Sequence, residues 1–463
     1  MDYAFRIRCD LIEKPNAQLV ITAYPITSGK RLRKEIIFNF NDVEVCEKLH
    51  NEIRKRITRP KPPHLLKSKP NNKVLIITNP FSGQKKALQL WNNYGAHVLQ
   101  EAQLEFDLIM TERPGHGTEI AQTLRIDDYD AIAVNSGDGL ISEVICGLLL
   151  RKDRERALKI PICHIPGGTS NGLAASILFA CNEPFSARDV FITECVNMLV
   201  HPIFINLPLF TVETEQDGLK PMFMTATWGL IADIDIGSER FRWAGMARLH
   251  IEAILRILQL PTVAKYNAKV SYVPVNDKET SRKSTLSYDV DRSRFGDKHF
   301  TFDSVTEASS EVSSKDPSQG FTNINEALEG HGNEYPKLNE PLGPEWETVE
   351  GCWAMVNVTS TSHLGSDLPY MPAAQLDKDI IYLTLLDWNT IKSRFHVADL
   401  FIRMNNCIHL SYPCLQIIPV KAVRVEPQTK SGYFAIDGEP CTNGSAFQVF
   451  PFMHKATIIG RNK

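Results

Sequence analysis

The chain has 463 residues, 43% hydrophobic and 23% charged, with a formal net charge of −3. That is globular chemistry with room for two domains and further segments, and it gives no electrostatic case for nucleic acid as the main partner. Ten cysteines are scattered without a C-x-x-C pair or a His/Cys cluster at metal spacing, so they read as reduced, buried thiols of an intracellular protein rather than a zinc site.

Residues 1–70 form an expected N-terminal accessory segment and linker. Leu19–Tyr24 and Glu35–Phe40 alternate like strands, and Asp42 opens a helical stretch through Leu49, Ile53 and Ile57. Pro60, Pro62 and Pro63 then lead into lysines up to Lys69, which reads as the linker. From 71 to 200 strand-like runs alternate with helical ones. The strands are expected at Val74–Thr78, Phe106–Thr111, Ala131–Val134 and Ile162–Ile165, which implies an α/β domain on a mostly parallel, Rossmann-like sheet. Over 201–463 the runs become rich in β-branched and aromatic residues, as expected of an antiparallel β-rich sandwich, with helical interruptions at Phe241–Leu258 and Ile391–Met404. The Ser-, Glu- and Asn-rich stretch 277–348 reads as a disordered insert in that domain. Met1–Arg6 lacks the apolar core of a signal peptide, and no window approaches the roughly 20 apolar residues of a membrane span. A cytoplasmic protein with peripheral membrane contact is expected.

Ligands of parallel sheets bind at the carboxyl ends of the strands, and here all four ends are polar or glycine-rich. The first runs Thr78-Asn79-Pro80-Phe81-Ser82-Gly83, with Lys85 and Lys86 beyond. The second runs Thr111-Glu112-Arg113-Pro114-Gly115-His116-Gly117. The third is Ser136-Gly137-Asp138-Gly139, followed by Glu143 one helical turn later. The fourth is Pro166-Gly167-Gly168-Thr169-Ser170-Asn171-Gly172. Glycines at a strand-to-helix turn let main chain approach a phosphate, and the helix N-terminus supplies N–H donors. An acid at such a turn repels phosphate unless it has other work, such as taking a proton or holding a metal. Alone, Asp138 would read as a helix cap. Four such ends on one sheet point to phosphoryl transfer. No Walker A sequence and no G-x-G-x-x-G opening a helix is present, so the nucleotide must be held another way.

Asn79-Pro80-x-Ser82-Gly83, Ser136–Gly139 and Pro166–Asn171 resemble the catalytic fold shared by diacylglycerol, ceramide and sphingosine kinases. Ser136 and Leu140, where most of that superfamily has Gly and Thr, resemble the sphingosine kinase branch. Trp228–Asp235 with Glu239, Arg242 and Arg248, Ser362–Asp367, and Phe434–Glu439 are also similar to that branch. The resemblance covers roughly 72–275 and 350–460.

It implies transfer of phosphate from ATP, with Mg2+, to the primary hydroxyl of sphingosine, and an ATP site between the two domains. Asp138 would be the general base within the substrate-binding turn Ser136, Gly137, Asp138, Gly139. Asn79, Pro80, Phe81, Ser82, Gly83, Thr111, Glu112, Arg113, Pro114, Gly115, Glu143, Gly168, Thr169 and Ser170 would surround ATP. Arg242 and Arg248 would reach the triphosphate, and Asp437 and Gly438 would complete the nucleotide site. Asp235 would hold the sphingoid head. No metal ligand is assigned.

For Asp235 the alternative is an internal ion pair with Arg240 or Arg242, and Asp233 competes for its role. Asp437 reads equally as a hairpin-turn residue, and His116 and His363 read as hydrogen-bonded structural histidines. A ceramide or diacylglycerol kinase, a nicotinamide nucleotide kinase and a catalytically idle lipid-binding scaffold are the remaining alternatives.

Overall fold

A computed structural model describes residues 6–12, 17–56, 59–65, 70–185, 191–244, 247–259, 266–275, 323–329, 334–430 and 432–461. Two compact units emerge. The first comprises Met1–Ile141, Glu155–Asn206 and Ala456–Lys463, and the second Ser142–Arg154 and Leu207–Lys455. These bounds differ from the expected ones at 70 and 200, because the chain leaves the first unit within a helix and returns to it at the C-terminus.

In the first unit β1 (Arg6–Ile12), β2 (Ala17–Ala23) and β3 (Lys34–Phe40) form an antiparallel sheet. Helix α1 (Val43–Arg56) closes it, its start marked by Asp42 accepting the Glu44 N–H. Leu19, Ile21, Cys46 and Ile53 make its small core. The expected accessory segment is fastened to the rest of the unit. Arg31 is buried, and its guanidinium meets Glu183 at 2.7 Å and the Tyr24 carbonyl at 2.8 Å. Arg461, near the other end of the chain, reaches the same Glu183 at 3.1 Å. In the linker, Arg59 pairs with buried Asp130, and the imidazole of His64 hydrogen-bonds to the carbonyls of Ile126 and Tyr129.

The parallel sheet of this unit comprises β4 (Lys73–Thr78), β5 (Glu105–Met110), β6 (Ala131–Ser136) and β7 (Ile162–Pro166) in the order β5-β4-β6-β7. Strand β6 is buried throughout, as its unbroken Ala-Ile-Ala-Val run requires of a sheet covered on both faces. Helices α2 (His116–Thr123), α3 (Asp138–Leu149), α4 (Gly172–Ala180) and α5 (Ile192–Val200) follow the strands, α3 running on into the second unit. Strand β8 (Ile203–Thr214) likewise begins in one unit and ends in the other.

The second unit is antiparallel and β-rich, as its composition implied. Its strands are β9 (Gly218–Met222), β10 (Thr225–Gly229), β11 (Tyr266–Pro274), β12 (Glu347–Thr359), β13 (Ile381–Asp387), β14 (Leu415–Pro427), β15 (Phe434–Ile436), β16 (Glu439–Cys441) and β17 (Phe447–Gly460). The long strands β12 and β14 each pair with β11 over one half and with β13 over the other. One core joins Trp228, Tyr266, Met355, Leu383, Phe434 and Phe447. Helices α6 (Leu230–Gly237), α7 (Ala247–Gln259) and α8 (Arg394–Ile402) cover it. The last residues of β17 belong to the first unit, where Ile458 pairs in parallel with Ile162 of β7.

Part of the expected insert is ordered. Residues 334–348 lie against the sheet because buried Arg424 donates to the carbonyls of Pro336, Lys337 and Glu340, while Tyr335, Trp346 and Phe450 pack together. A short helix at Ile324–Glu329 precedes them. The rest of the insert lies outside the described residues.

Candidate active site

The strand register brings the four polar ends to one edge of the parallel sheet. Thr78 lies opposite Met110 on one side and Asn135 on the other, and Ser136 lies opposite Pro166. Three of the loops pack main chain to main chain. A Cβ on Gly168 would sit 2.3 Å from the Cα of Gly137, and one on Gly83 would sit 2.3 Å from the Gly167 carbonyl oxygen. Gly83 also has φ +55°, a conformation that glycine adopts without strain. These turns can touch only because no side chain separates them.

Each loop is shaped by short hydrogen bonds. The Asn79 side chain accepts the Phe81 N–H at 2.9 Å, and the Ser82 N–H reaches the Asn79 carbonyl. Phe81 itself is 63% exposed. Thr111 is buried and its N–H donates to the Thr78 carbonyl, whereas Glu112, Arg113 and Pro114 are exposed and Arg113 pairs with Glu119. His116 accepts the Glu112 N–H on Nδ1, the structural role expected of it. In the last loop Asn171, at φ 53°, accepts the Gly168 N–H and donates to the Gly168 carbonyl, leaving Thr169 and Ser170 exposed between them.

Asp138 sits buried where these turns meet. Its Oδ2 accepts the Gly172 N–H and its Oδ1 the Leu173 N–H, both at 2.9 Å. The carboxylate therefore occupies two of the donors that α4 would otherwise offer to an anion. It ties the third strand end to the fourth while keeping further acceptor capacity. Behind it lies His164, a residue that motif reading passed over. The available signal was a titratable side chain inside the otherwise apolar strand Ile162–Pro166. Its Nε2 donates to the Ser136 carbonyl at 3.0 Å, and its Nδ1 is 3.8 Å from Oδ1 of Asp138. Burial drives the imidazole towards the neutral form, against the pull of the Asp138 charge.

In the second unit the rival aspartates of α6 separate cleanly. Asp233 is buried and accepts from the Tyr266 hydroxyl and the Tyr433 N–H, with Arg256 at 3.6 Å. Asp235 is partly buried, and among the described residues no hydrogen bond reaches its carboxylate. Burial raises its pKa, and the charge of Arg248 opposes that rise. Arg240 is engaged with buried Glu252 and so is not its partner, while Arg248 is bonded to Glu239. The side chain of Arg242 lies outside the described residues.

Asp437 accepts three main-chain N–H groups, from Phe223, Met224 and Thr225, at 2.8–3.0 Å. With φ 50° it is a turn residue whose carboxylate organises the start of β10. Gly438 follows at φ +84°, exposed, and a Cβ there would lie 3.9 Å from Asp235 Oδ2. Glu143 is partly buried on α3, and His363 is buried against the Ser362 hydroxyl. Among the described residues no group of three or more His, Cys, Asp or Glu side chains could hold a metal ion.

Residues 73–197 match the diacylglycerol kinase catalytic domain family. Over 370 residues, 79% of this chain and 85% of the relative, the sequence is 30% identical to human sphingosine kinase 1. It is 24% identical over 380 residues to sphingosine kinase 1 of Caenorhabditis elegans, spanning 79% of this chain and 77% of that one. It is also similar to sphingosine kinase 1 of Arabidopsis thaliana, at 33% over 230 residues, 50% of this chain and 46% of the relative. A crystal structure from Bacillus anthracis, of a protein provisionally assigned as a diacylglycerol kinase, shares the fold with a TM-score of 0.51 at 14% identity. It covers 84% of this chain and 98% of that one.

Proposed function

Because the chain belongs to the sphingosine kinase family and so phosphorylates sphingoid bases with ATP, we propose a role for each of the residues assembled above. Asp138 takes the proton of the primary hydroxyl as its oxygen attacks the γ-phosphorus. The observation that carries this reading is a buried carboxylate held at the meeting point of three glycine turns. Glycines 83, 137, 167 and 168 allow main-chain N–H groups close to the phosphates, and phosphoryl transfer depends chiefly on such positioning and charge stabilisation.

Asn79–Gly83, Thr111–Gly115, Glu143 and Gly168–Ser170 form the nucleotide surroundings, Phe81 offering an exposed ring and Thr169 and Ser170 exposed hydroxyls. Arg242 and Arg248 supply cationic charge. Asp437 contributes through the turn that it holds, with Gly438 as the exposed member of that turn. No side chain is assigned to hold magnesium; bound to the triphosphate, it would supply charge neutralisation there.

Asp235 receives the sphingoid ammonium. A partly buried carboxylate short of hydrogen bonds gains most from such a partner. Helices α7 and α8 support the lipid and membrane reading, because they leave Ile254, Leu258, Phe395 and Ile402 57–78% exposed while Glu252 of α7 is fully buried. We assign peripheral contact with a bilayer to these helices. Among the described residues no helix is long and apolar enough to cross one.

The test is transfer of labelled γ-phosphate from ATP to sphingosine, ceramide and diacylglycerol, with Asp138→Asn alongside. The expected result is phosphorylation of sphingosine, reduced about 10³-fold or more in kcat in the variant at unchanged circular dichroism. Near-normal turnover by the variant overturns the base assignment. Transfer to ceramide or diacylglycerol instead overturns the role of Asp235.

A further inference from the structure

His164 is 1% exposed, on the face of β7 opposite Cys163, whose thiol points to the Cys195 carbonyl of α5. A carbonyl oxygen only accepts, so the bond to Ser136 fixes the proton of the neutral ring on Nε2. The bare Nδ1 is buried without a hydrogen-bond partner among the described residues, and it faces an oxygen of Asp138 at 3.8 Å. Two acceptors thus confront each other with no proton between them. This arrangement costs free energy while both are unprotonated and is relieved by one added proton.

We propose that His164 acts through Asp138 as the second half of the base, receiving on Nδ1 the proton that Asp138 takes from the substrate hydroxyl. The inference rests on the reading of Asp138 given above. In the step the substrate O–H bond breaks, and its electron pair forms the new bond to the γ-phosphorus as the bond to the β-phosphate oxygen breaks. The proton passes through Oδ1 to Nδ1, and the 3.8 Å gap closes to hydrogen-bond length. The buried pair goes from one net negative charge to none, so accepting the proton neutralises a charge held away from water. The proton leaves to solvent after the product does.

The surroundings make this a pair rather than a larger network. The segments β6, α4 and residues 456–460 of β17, all adjoining β7, carry no titratable side chain. Helix α5 carries Glu194, which accepts the Arg31 N–H, and Cys195. Burial and the Asp138 charge are the opposing influences on the ring.

The discriminating variant is His164→Gln, whose Nε2 can keep the bond to the Ser136 carbonyl while Nδ1 is lost. The expected result is a fall of about tenfold to a hundredfold in kcat, KM for ATP and sphingosine within about twofold, and loss from the kcat–pH profile of the acid limb that the buried ring places below the usual imidazole range. A purely structural histidine predicts wild-type kcat and an unchanged limb, which would overturn the proposal. Wild-type protein labelled with 15N-histidine gives a second readout, even should the Gln variant fail to fold. One imidazole should be in the Nε2–H form at pH 8 and gain its Nδ1 proton at a lower pH in Asp138→Asn than in wild type. A ring already protonated on Nδ1, or one indifferent to that substitution, would overturn the proposal as well. If Asp138→Asn itself still phosphorylates sphingosine, the reading of the base fails. If it is inactive while His164→Gln is normal, only the relay fails.

Discussion

Three aspartates of the second unit, alike in local sequence, have different work because their hydrogen-bond surroundings differ. Asp233 holds the Tyr266 hydroxyl and the Tyr433 N–H, and Asp437 holds three N–H groups, whereas Asp235 holds none among the described residues. Removing the first two carboxylates strands buried donors, at about 2–4 kcal/mol in all for each site. Asp233→Ala and Asp437→Ala should therefore lower the melting temperature by roughly 5–15 °C, given about 2–4 °C per kcal/mol for a unit of this size. Asp235→Ala should leave the melt within about 2 °C and raise KM for sphingosine tenfold or more, with KM for ATP little changed. Calorimetry and two-substrate kinetics on the same preparations check all three. A full-strength melt for Asp437→Ala with a specific loss of ATP affinity would return that carboxylate to the nucleotide.

At the scale of elements, the decisive contacts are between turns. A Cβ on Gly168 would meet the Gly137 main chain at 2.3 Å, but one on Gly137 would meet the Gly168 main chain only at 3.3 Å. Gly168→Ala should displace its loop and lower kcat/KM for ATP by about a hundredfold or more, since misplacement near 1 Å costs that much. Gly137→Ala should lose distinctly less, and a reversed order in steady-state kinetics would refute the packing argument. This layout was half legible in the sequence. Strand-helix alternation and four polar strand ends located the edge of the sheet, because buried parallel strands read as unbroken apolar runs. The mutual contact of Gly83 with Gly167 and of Gly137 with Gly168 was not legible, since glycine spacing along a chain carries no information about which loops meet. His164 was passed over for the opposite reason: a lone histidine in an apolar strand has many bland explanations, and its significance depends on Asp138, distant in sequence. The insert was misjudged at its C-terminal end because its polar segment is held by main-chain carbonyls on Arg424, and carbonyls have no composition.

At the scale of the whole chain, the first 70 residues belong to the body of the first unit rather than to an appendage. Arg31 is only 5% exposed and its partner Glu183 only 7%, so Arg31→Ala leaves a buried carboxylate with Arg461 as its remaining ion-pair partner among the described residues. Loss of one partner of such a buried pair costs about 3–5 kcal/mol, a melting shift of roughly 10 °C or more. An undiminished melt for that variant, or for a chain lacking residues 1–58, would restore the accessory reading. The units themselves are interleaved along the chain, and β17 contributes Phe447–Lys455 to one and Ala456–Gly460 to the other. Synthesis runs from N- to C-terminus, so the strand segment that flanks β7 emerges only after the second unit has been made. Until it does, the ladder beside Ile162 stays open, a template for a neighbouring nascent chain. The first unit is thus closed only after Leu207–Lys455 has been synthesised, and its maturation waits on the second unit.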